Sequence, residues 1–252
     1  MKTLQLVFVL LFCAMTRIMA QDTVIPGYRI SGHYFTKDLS VQQVFKVSKS
    51  IMALKDKDGN GVLNVLVDDD FVIPERFKKY EIPLEKVRNV DELEESAKTF
   101  SKMRELTQSG GTHRIVVGKV LPGDFSEQDL SGKVWTKDSF QNCVTVINIW
   151  YSGCGPCRKE MPILSDWKEK YPDVLFLSAN FEKADKVKQI AEKEKFNWNH
   201  IYNDVYFTKL VGSGGYPLTI VLDKDGIVRY YRNGTNDVIR SEILQVIEDL
   251  NK

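Results

Sequence analysis

The chain has little of several things that would announce a function. Basic and acidic residues nearly cancel, 35 Lys and Arg against 34 Asp and Glu, for a formal net charge of +1. That balance removes the electrostatic basis for a nucleic-acid or acidic-surface partner, and none is expected. Histidine is scarce: His33, His113 and His200 are the 3 in 252 residues, too scattered for a metal motif, and each reads as an ordinary surface or core residue. Cysteine is too sparse, at 4, for a disulfide-stapled scaffold, so the fold must rest on a hydrophobic core; 43% hydrophobic residues can supply one. Long apolar runs are missing as well. The longest is the ten residues from Leu6 to Met15, too short to span a bilayer.

That run sits in "MKTLQLVFVLLFCAMTRIMAQ", behind Lys2 and ahead of Ala20, which is the layout of an export signal. Residues 1–20 are read as a signal peptide cleaved after Ala20, with Ile18 less typical there than a small residue. Lipid anchoring at Cys13 is disfavoured because the preceding Phe12 is large. The exported chain then keeps Cys143, Cys154 and Cys157 and meets an oxidising compartment.

Residues 21–115 are expected to form a small α+β region of unknown role. "DTVIPGYRISGHYF" alternates weakly, as a strand does, and the runs "SIMALKD" and "GVLNVLVDD" around "KDGN" suggest a hairpin. Leu93, Ala97, Phe100, Met103 and Leu106 recur at helical spacing, with Asn89 or Asp91 available as a cap. "TQSGGTHR" reads as a linker and "RIVVGKV" as a strand that could join either side. "DKDGNG" imitates the opening of a calcium loop, but its twelfth position is Val67 rather than a bidentate glutamate, and its flanks read as strands. A hairpin turn is expected there.

Residues 116–252 are more legible. "CVTVINIW" is a continuous β-branched run, as in a strand buried on both faces. "CGPCRKEMPILSDWKEKY" follows as a helix containing Pro162; "VLFLSAN" is a strand; "KADKVKQIAEKEKF" is an amphipathic helix through Val187, Ile190, Ala191 and Phe196. "PLTIVL", "DKDG" and "IVRYY" make strand, turn and strand, and "NDVIRSEILQVIEDL" closes as a helix. The order predicts an α/β fold with a central mixed sheet flanked by helices.

Cys154 and Cys157 stand where the first of these strands gives way to a helix. Zinc would need two more ligands at defined spacing, and none is offered. A four-residue ring staples little unfolded-state entropy. A redox couple has a mechanism: free backbone N–H groups and the helix dipole favour a thiolate at Cys154, and Cys157, one turn on, can resolve a mixed disulfide. Cys154 is therefore read as nucleophile and Cys157 as resolving thiol, with no cofactor beyond the disulfide they form.

"WYSGCGPCRKEMP" resembles the active-site stretch of the thioredoxin superfamily, and most resembles its exported TlpA/ResA-like thiol–disulfide oxidoreductases, which include cytochrome c maturation reductants. "LPGDFSEQDLSGKVWTKDSFQNCVTVINIW" resembles that family's entry hairpin, and "GGYPLTIVLDKDG" its cis-proline loop, strand and turn. The resemblance covers residues 120–252 and leaves the first region untouched. It implies a thioredoxin-like fold, with Pro217 as the cis-proline facing the cysteines and Glu160 as the acid of the C-x-x-C-x-x-E-x-P pattern. Trp150, Gly155, Pro156 and Tyr216 would line the substrate groove, although Trp150 equally suits simple packing. It also implies the periplasm or cell envelope of a bacterium, disulfide-containing envelope proteins as substrates, and a membrane thiol-transfer reductase as electron source. One departure stands out: cytosolic thioredoxins carry a buried strand aspartate six residues before the first cysteine, and Asn148 stands there. Proton handling then rests on Glu160, water or Lys159.

The Gly-Pro dipeptide is that of thioredoxin, whose couple lies near −270 mV, against about −120 mV for a strong periplasmic oxidant. The gap is roughly 7 kcal/mol for two electrons, so the dipeptide favours a reductant. A disulfide isomerase or oxidant would use the same pair. A non-catalytic binding module of the same fold would be marked by a lost cysteine, and both are present. Cys143, eleven residues before Cys154 and at the start of the buried strand, is too far along it for a disulfide and is expected to be an inert thiol.

Overall fold

The computed structural model describes residues 23–56, 58–109 and 114–252. The expected signal peptide, Cys13 and His113 lie outside the described residues. The chain divides into two compact units, Met1–Lys98 and Thr99–Lys252.

In the first unit, strands β1 (Tyr28–Ile30), β2 (His33–Phe35), β3 (Ser50–Lys55), β4 (Gly61–Leu66) and β5 (Glu81–Ile82) form one sheet in the order β3-β4-β1-β2-β5. Only the β1–β4 pairing is parallel. Helices α1 (Val41–Val47), α2 (Glu75–Lys78) and the start of α3 (Val90–Ser109) accompany it. Strand alternation gives the sheet two apolar faces. Ile30, Phe35, Val44 and Phe77 cluster on one, and Tyr34, Leu54, Val62, Leu93 and Ala97 on the other. Arg29, between two core residues of β1, donates from Nε to Glu94 Oε1 at 2.9 Å, and the Tyr34 hydroxyl donates to the same oxygen at 2.7 Å.

The "DKDGNG" stretch is the tight turn between antiparallel β3 and β4. Asp56 accepts from the backbone N–H of Asp58 and Asn60 and from the side-chain amides of Asn60 and Asn89. Burial pushes the Asp56 carboxyl up, but these donors outweigh it and hold the group below its ordinary range. Asn89 was expected as a possible helix cap. It directly precedes α3, its carbonyl accepts from the Leu93 N–H at 3.1 Å, and its side-chain amide reaches back to Asp56 and Asp58, tying the turn to the start of α3.

The second unit is built on the sheet β10-β9-β8-β11-β12, from β8 (Thr145–Ile149), β9 (Leu175–Ala179), β10 (Asn199–Ile201), β11 (Leu218–Leu222) and β12 (Val228–Asn233). β8, β9 and β10 run parallel; β11 is antiparallel to both β8 and β12. Helices α4 (Gly155–Lys170), α5 (Ala184–Lys193), α6 (Tyr206–Val211) and α7 (Asp237–Leu250) flank it. The thioredoxin-like fold is thus present, with β6 (Glu127–Gln128) and β7 (Val134–Trp135) as its entry hairpin. All five residues of β8 are buried, because helices cover both faces of a central strand.

Two expectations are corrected. "RIVVGKV" is no strand: the chain turns at Val116–Lys119, with Gly118 at φ +86° and Lys119 N–H donating to the Val116 carbonyl at 3.1 Å. Phe196 lies beyond the end of α5, although it is buried. β10 and α6 were not foreseen.

Candidate active site

β8 ends at Ile149, and the chain crosses a short turn before α4 begins. The turn is closed by Cys154 N–H donating to the Tyr151 carbonyl at 3.0 Å. Cys154 is the N-cap of α4, with Pro156 in the first turn, where a missing N–H costs nothing. The Cys157 backbone N–H donates to Cys154 Sγ at 3.2 Å. The two cysteines are joined, with Cα atoms 5.3 Å apart. Cys157 is buried deeper than Cys154, at 1% against 4% exposure. The first sulfur holds the helix-end position that favours a thiolate. Such an arrangement can exchange a dithiol for a disulfide.

Glu160 lies on the buried side of α4, 4% exposed. Asn148, in the middle of β8, donates from Nδ2 both to Glu160 Oε1 and to Thr219 Oγ1, each at 3.1 Å. Burial pushes the Glu160 carboxyl up; contacts with Thr235 and Asn148 and the charge of Arg240 oppose this without reversing it. Arg240 is itself steered by a 2.8 Å bond to Thr235 Oγ1. So the strand amide and the helix acid, read separately in the sequence, form one buried polar pair. The sequence identified Asn148 only as a missing base; its service as a donor to Glu160 is visible only when β8 and α4 are packed. Lys159, the other candidate for moving protons, is exposed.

The Tyr216–Pro217 peptide bond is cis. Tyr216 packs edge-on against Tyr151, their ring centroids 5.0 Å apart, which brings the proline loop beside the turn that carries Cys154. Gly155 and Pro156 are exposed, Tyr216 is half-buried, and Pro217 is buried. Trp150 is a correction. It is wholly buried, and its indole N–H donates to Ser178 Oγ at 3.2 Å, so it belongs to the core and lines no groove. Tyr151, the next residue, is half-buried between Phe181 and Tyr216. Gly153 has a steric reason: a Cβ there would meet the Tyr151 ring at 2.8 Å.

Two residues escaped the sequence reading altogether. Glu182, just after β9, accepts from the Ser152 backbone N–H and from its hydroxyl, each at 2.6 Å. Asp204 is fully buried and accepts from the N–H groups of Phe207 and Thr208 and from the Thr208 hydroxyl. Burial, then the charge of Glu127, pushes its carboxyl up to about 7. Cys143 is half-buried and unpaired, its sulfur 3.7 Å from Thr145 Oγ1. Among the described residues no cluster of His, Cys, Asp and Glu could hold a metal ion.

A family model described as Redoxin matches residues 116–247. The thioredoxin-like protein YneN of Bacillus subtilis is 31% identical over 131 residues, which span 48% of this chain and 74% of that protein. The thiol-disulfide oxidoreductase ResA of Bacillus cereus is 29% identical over 122 residues, 46% of this chain and 68% of that protein. Among solved structures, the thioredoxin domain of a thiol-disulfide oxidoreductase from Bacteroides vulgatus aligns with a TM-score of 0.46 at 19% identity, covering 53% of this chain and 99% of that one.

Proposed function

The chain belongs to the redoxin family, and from that premise we propose that this thiol–disulfide oxidoreductase is an exported reductant of protein disulfides. The observation that carries the reading is the Cys154/Cys157 pair at the N-terminus of α4, backed by the buried Glu160. The Gly-Pro dipeptide favours the reducing direction, and the apolar Leu6–Met15 run supports export. In the reduced protein the Cys154 thiolate attacks one sulfur of a substrate disulfide. The S–S bond breaks, a mixed disulfide forms, and the other substrate sulfur leaves as a thiol after taking a proton. Cys157, deprotonated, then attacks Cys154 Sγ and releases the second substrate thiol. Two electrons pass from the pair to the substrate, with one proton from Cys157 and one from solvent, and the Cys154–Cys157 disulfide remains.

Glu160 serves this sequence as a proton holder beside Cys157. Burial raises its proton affinity, so in its carboxylate form it can take the Cys157 proton when that sulfur attacks. Pro217 and the Tyr216 backbone would seat extended substrate chain next to Cys154, with Gly155 and Pro156 as the floor. Substrates are disulfides of other envelope proteins, among them cysteine pairs that must be reduced before haem attachment to c-type cytochromes. A reductant in an oxidising compartment needs renewal, so a membrane thiol-transfer protein is the proposed electron source.

The test is a measured reduction potential, together with trapping by Cys157→Ala. The expected potential lies near that of thioredoxin, about −270 mV. The variant should accumulate mixed disulfides on Cys154, and their mass spectra should name exported proteins. A potential near −120 mV, the value of a strong oxidant, would overturn the direction.

A further inference from the structure

The loop after β9 reaches the turn that presents Cys154. The Glu182 carboxylate takes Ser152 by both of its donors, backbone N–H to Oε2 and hydroxyl to Oε1, each at 2.6 Å. Ser152 is the second residue of the Tyr151–Cys154 turn, so a single carboxylate fixes the half of the turn that the Tyr151–Cys154 backbone bond leaves free. Glu182 is in turn held from behind. Its own N–H donates to Asn180 Oδ1 at 2.7 Å, and its carbonyl accepts from Asn203 N–H at 2.8 Å. The residue is only 9% exposed, so water screens its charge poorly.

We propose that Glu182 is the positioning residue of the nucleophile turn, and that its negative charge, held on Ser152 two residues before Cys154, makes the couple more reducing. The sign follows from which form carries charge. At neutral pH the reduced pair carries a thiolate and the disulfide carries none. A nearby carboxylate raises the free energy of the thiolate form alone, so electrons leave the pair more readily. The charge is felt at the neighbouring rings: burial, then Glu182, pushes the Tyr151 hydroxyl up, and Glu182 adds to the larger effects of burial and Asp204 on Tyr216.

The nearby basic groups are bonded to partners other than Glu182. Arg158 is bonded to Glu194 through Nε at 2.9 Å. Lys102, in the same unit, donates its ammonium to the Phe181 carbonyl at 3.0 Å. Glu160 is pushed toward its neutral form by burial, and Lys159 is exposed. The inference goes beyond the proposed function: it concerns the change in potential on substitution, whereas the direction of electron flow rests on the absolute potential of the unaltered protein, and either can fail alone.

Two variants test it. In Glu182→Gln the amide can still accept the Ser152 N–H and donate to the Ser152 hydroxyl oxygen, so the clasp persists without the charge. Its equilibrium with a glutathione redox buffer should move about tenfold toward the reduced pair, equivalent to about 30 mV. The pH profile of Cys154 alkylation should move to lower pH alongside. In Ser152→Ala the charge and the backbone bond stay while the hydroxyl bond goes. Its potential should move less than half as far, and its kcat/KM for insulin reduction should fall several-fold. A Glu182→Gln potential and alkylation profile matching wild type would overturn the role of the charge. A Ser152→Ala protein reducing insulin at the wild-type rate would overturn the clasp. Should Glu182→Gln not fold, Glu182→Asp, which keeps the charge on a shorter arm, should retain the wild-type potential while slowing reduction; a potential shifted by tenfold in that variant would equally overturn the proposal.

Discussion

His200 lies in the middle of β10, linked to Trp150 through Ser178, and it should give the second unit an acid-sensitive core. Its Nε2 is 2.9 Å from the Phe196 carbonyl, which can only accept, so Nε2 carries the proton. Nδ1 then accepts from the Ser178 hydroxyl at 2.7 Å, and Ser178 Oγ accepts the Trp150 indole N–H. The chain of bonds has one direction and needs a neutral ring. Burial first, with Lys168 adding to it and the Phe196 carbonyl opposing, lowers the ring's pKa to about 4. A free histidine titrates near 6.5. A pKa lowered by folding means stability that is present above the unfolded value and lost as pH falls through the folded one. Between pH 7 and pH 5 the unfolded chain gains the proton and the native chain does not. At about 1.36 kcal/mol per pH unit the native state should lose roughly 2 kcal/mol relative to a variant without the ring. His200→Gln does not titrate, and its amide can both donate and accept. It should be the less stable protein at pH 7, and the gap should narrow by about 2 kcal/mol at pH 5. Trp135, Trp150, Trp167 and Trp198 all lie in the second unit, so urea unfolding followed by tryptophan fluorescence reports on that unit. A gap that stays constant between the two pH values would refute the buried neutral ring.

Asp204 should behave with the opposite sign. Its carboxyl is pushed up to about 7, so its stabilising proton is held below the unfolded value near 3.8 and lost as pH rises through 7; against Asp204→Asn, the wild type should lose stability from pH 5 to pH 8 in the same urea assay. Glu160→Gln should shift the pH profile of Cys154 alkylation downward and slow insulin reduction at neutral pH, and an unchanged profile with an unchanged rate would show that the Asn148–Glu160 pair is structural only. Cys154→Ser should abolish turnover, whereas Cys157→Ser should leave one thiol that iodoacetamide alkylates rapidly near neutral pH; a Cys154→Ser protein that alkylates as fast at Cys157 would reverse their roles. Gly153→Ala should drive the Tyr151 ring off its 2.8 Å approach and raise KM for protein substrates more than it changes the potential.

Much of the second unit could be read in the chain because local pattern and tertiary role coincide there. A β-branched run such as Thr145–Ile149 is buried on both faces and has no polar alternative. The helix opening at Cys154 announces itself by proline in its first turn and by apolar residues at helical spacing. β10 and α6 were missed because three and six residues are too few to show a period, and Asn-His-Ile is stabilised by pairing with β9 rather than by its own composition. "RIVVGKV" misled for the converse reason: a β-branched string that meets its neighbour only through a single bridge, Val120 to Ile227, turns at Gly118 instead. Trp150 resembles the aromatic before the family motif, which suits a groove or simple packing equally; one residue past β8, it is packed inward with its indole on Ser178.

What the sequence determined by itself was the order of elements, the helix-end placement of two cysteines and hence the class of chemistry, since spacing and local conformation are properties of adjacent residues. What only the tertiary structure decided was the electrostatic setting of that chemistry. Asn148 meets Glu160 across a strand–helix packing, Glu182 grips Ser152 from a loop thirty residues on, and Ser178 lies between Trp150 and His200. Each of these depends on side chains brought within 3.2 Å by the packing of separate elements and removed together from water. No spacing rule encodes such distances, because they are set by how whole strands and helices stack rather than by the residues beside them.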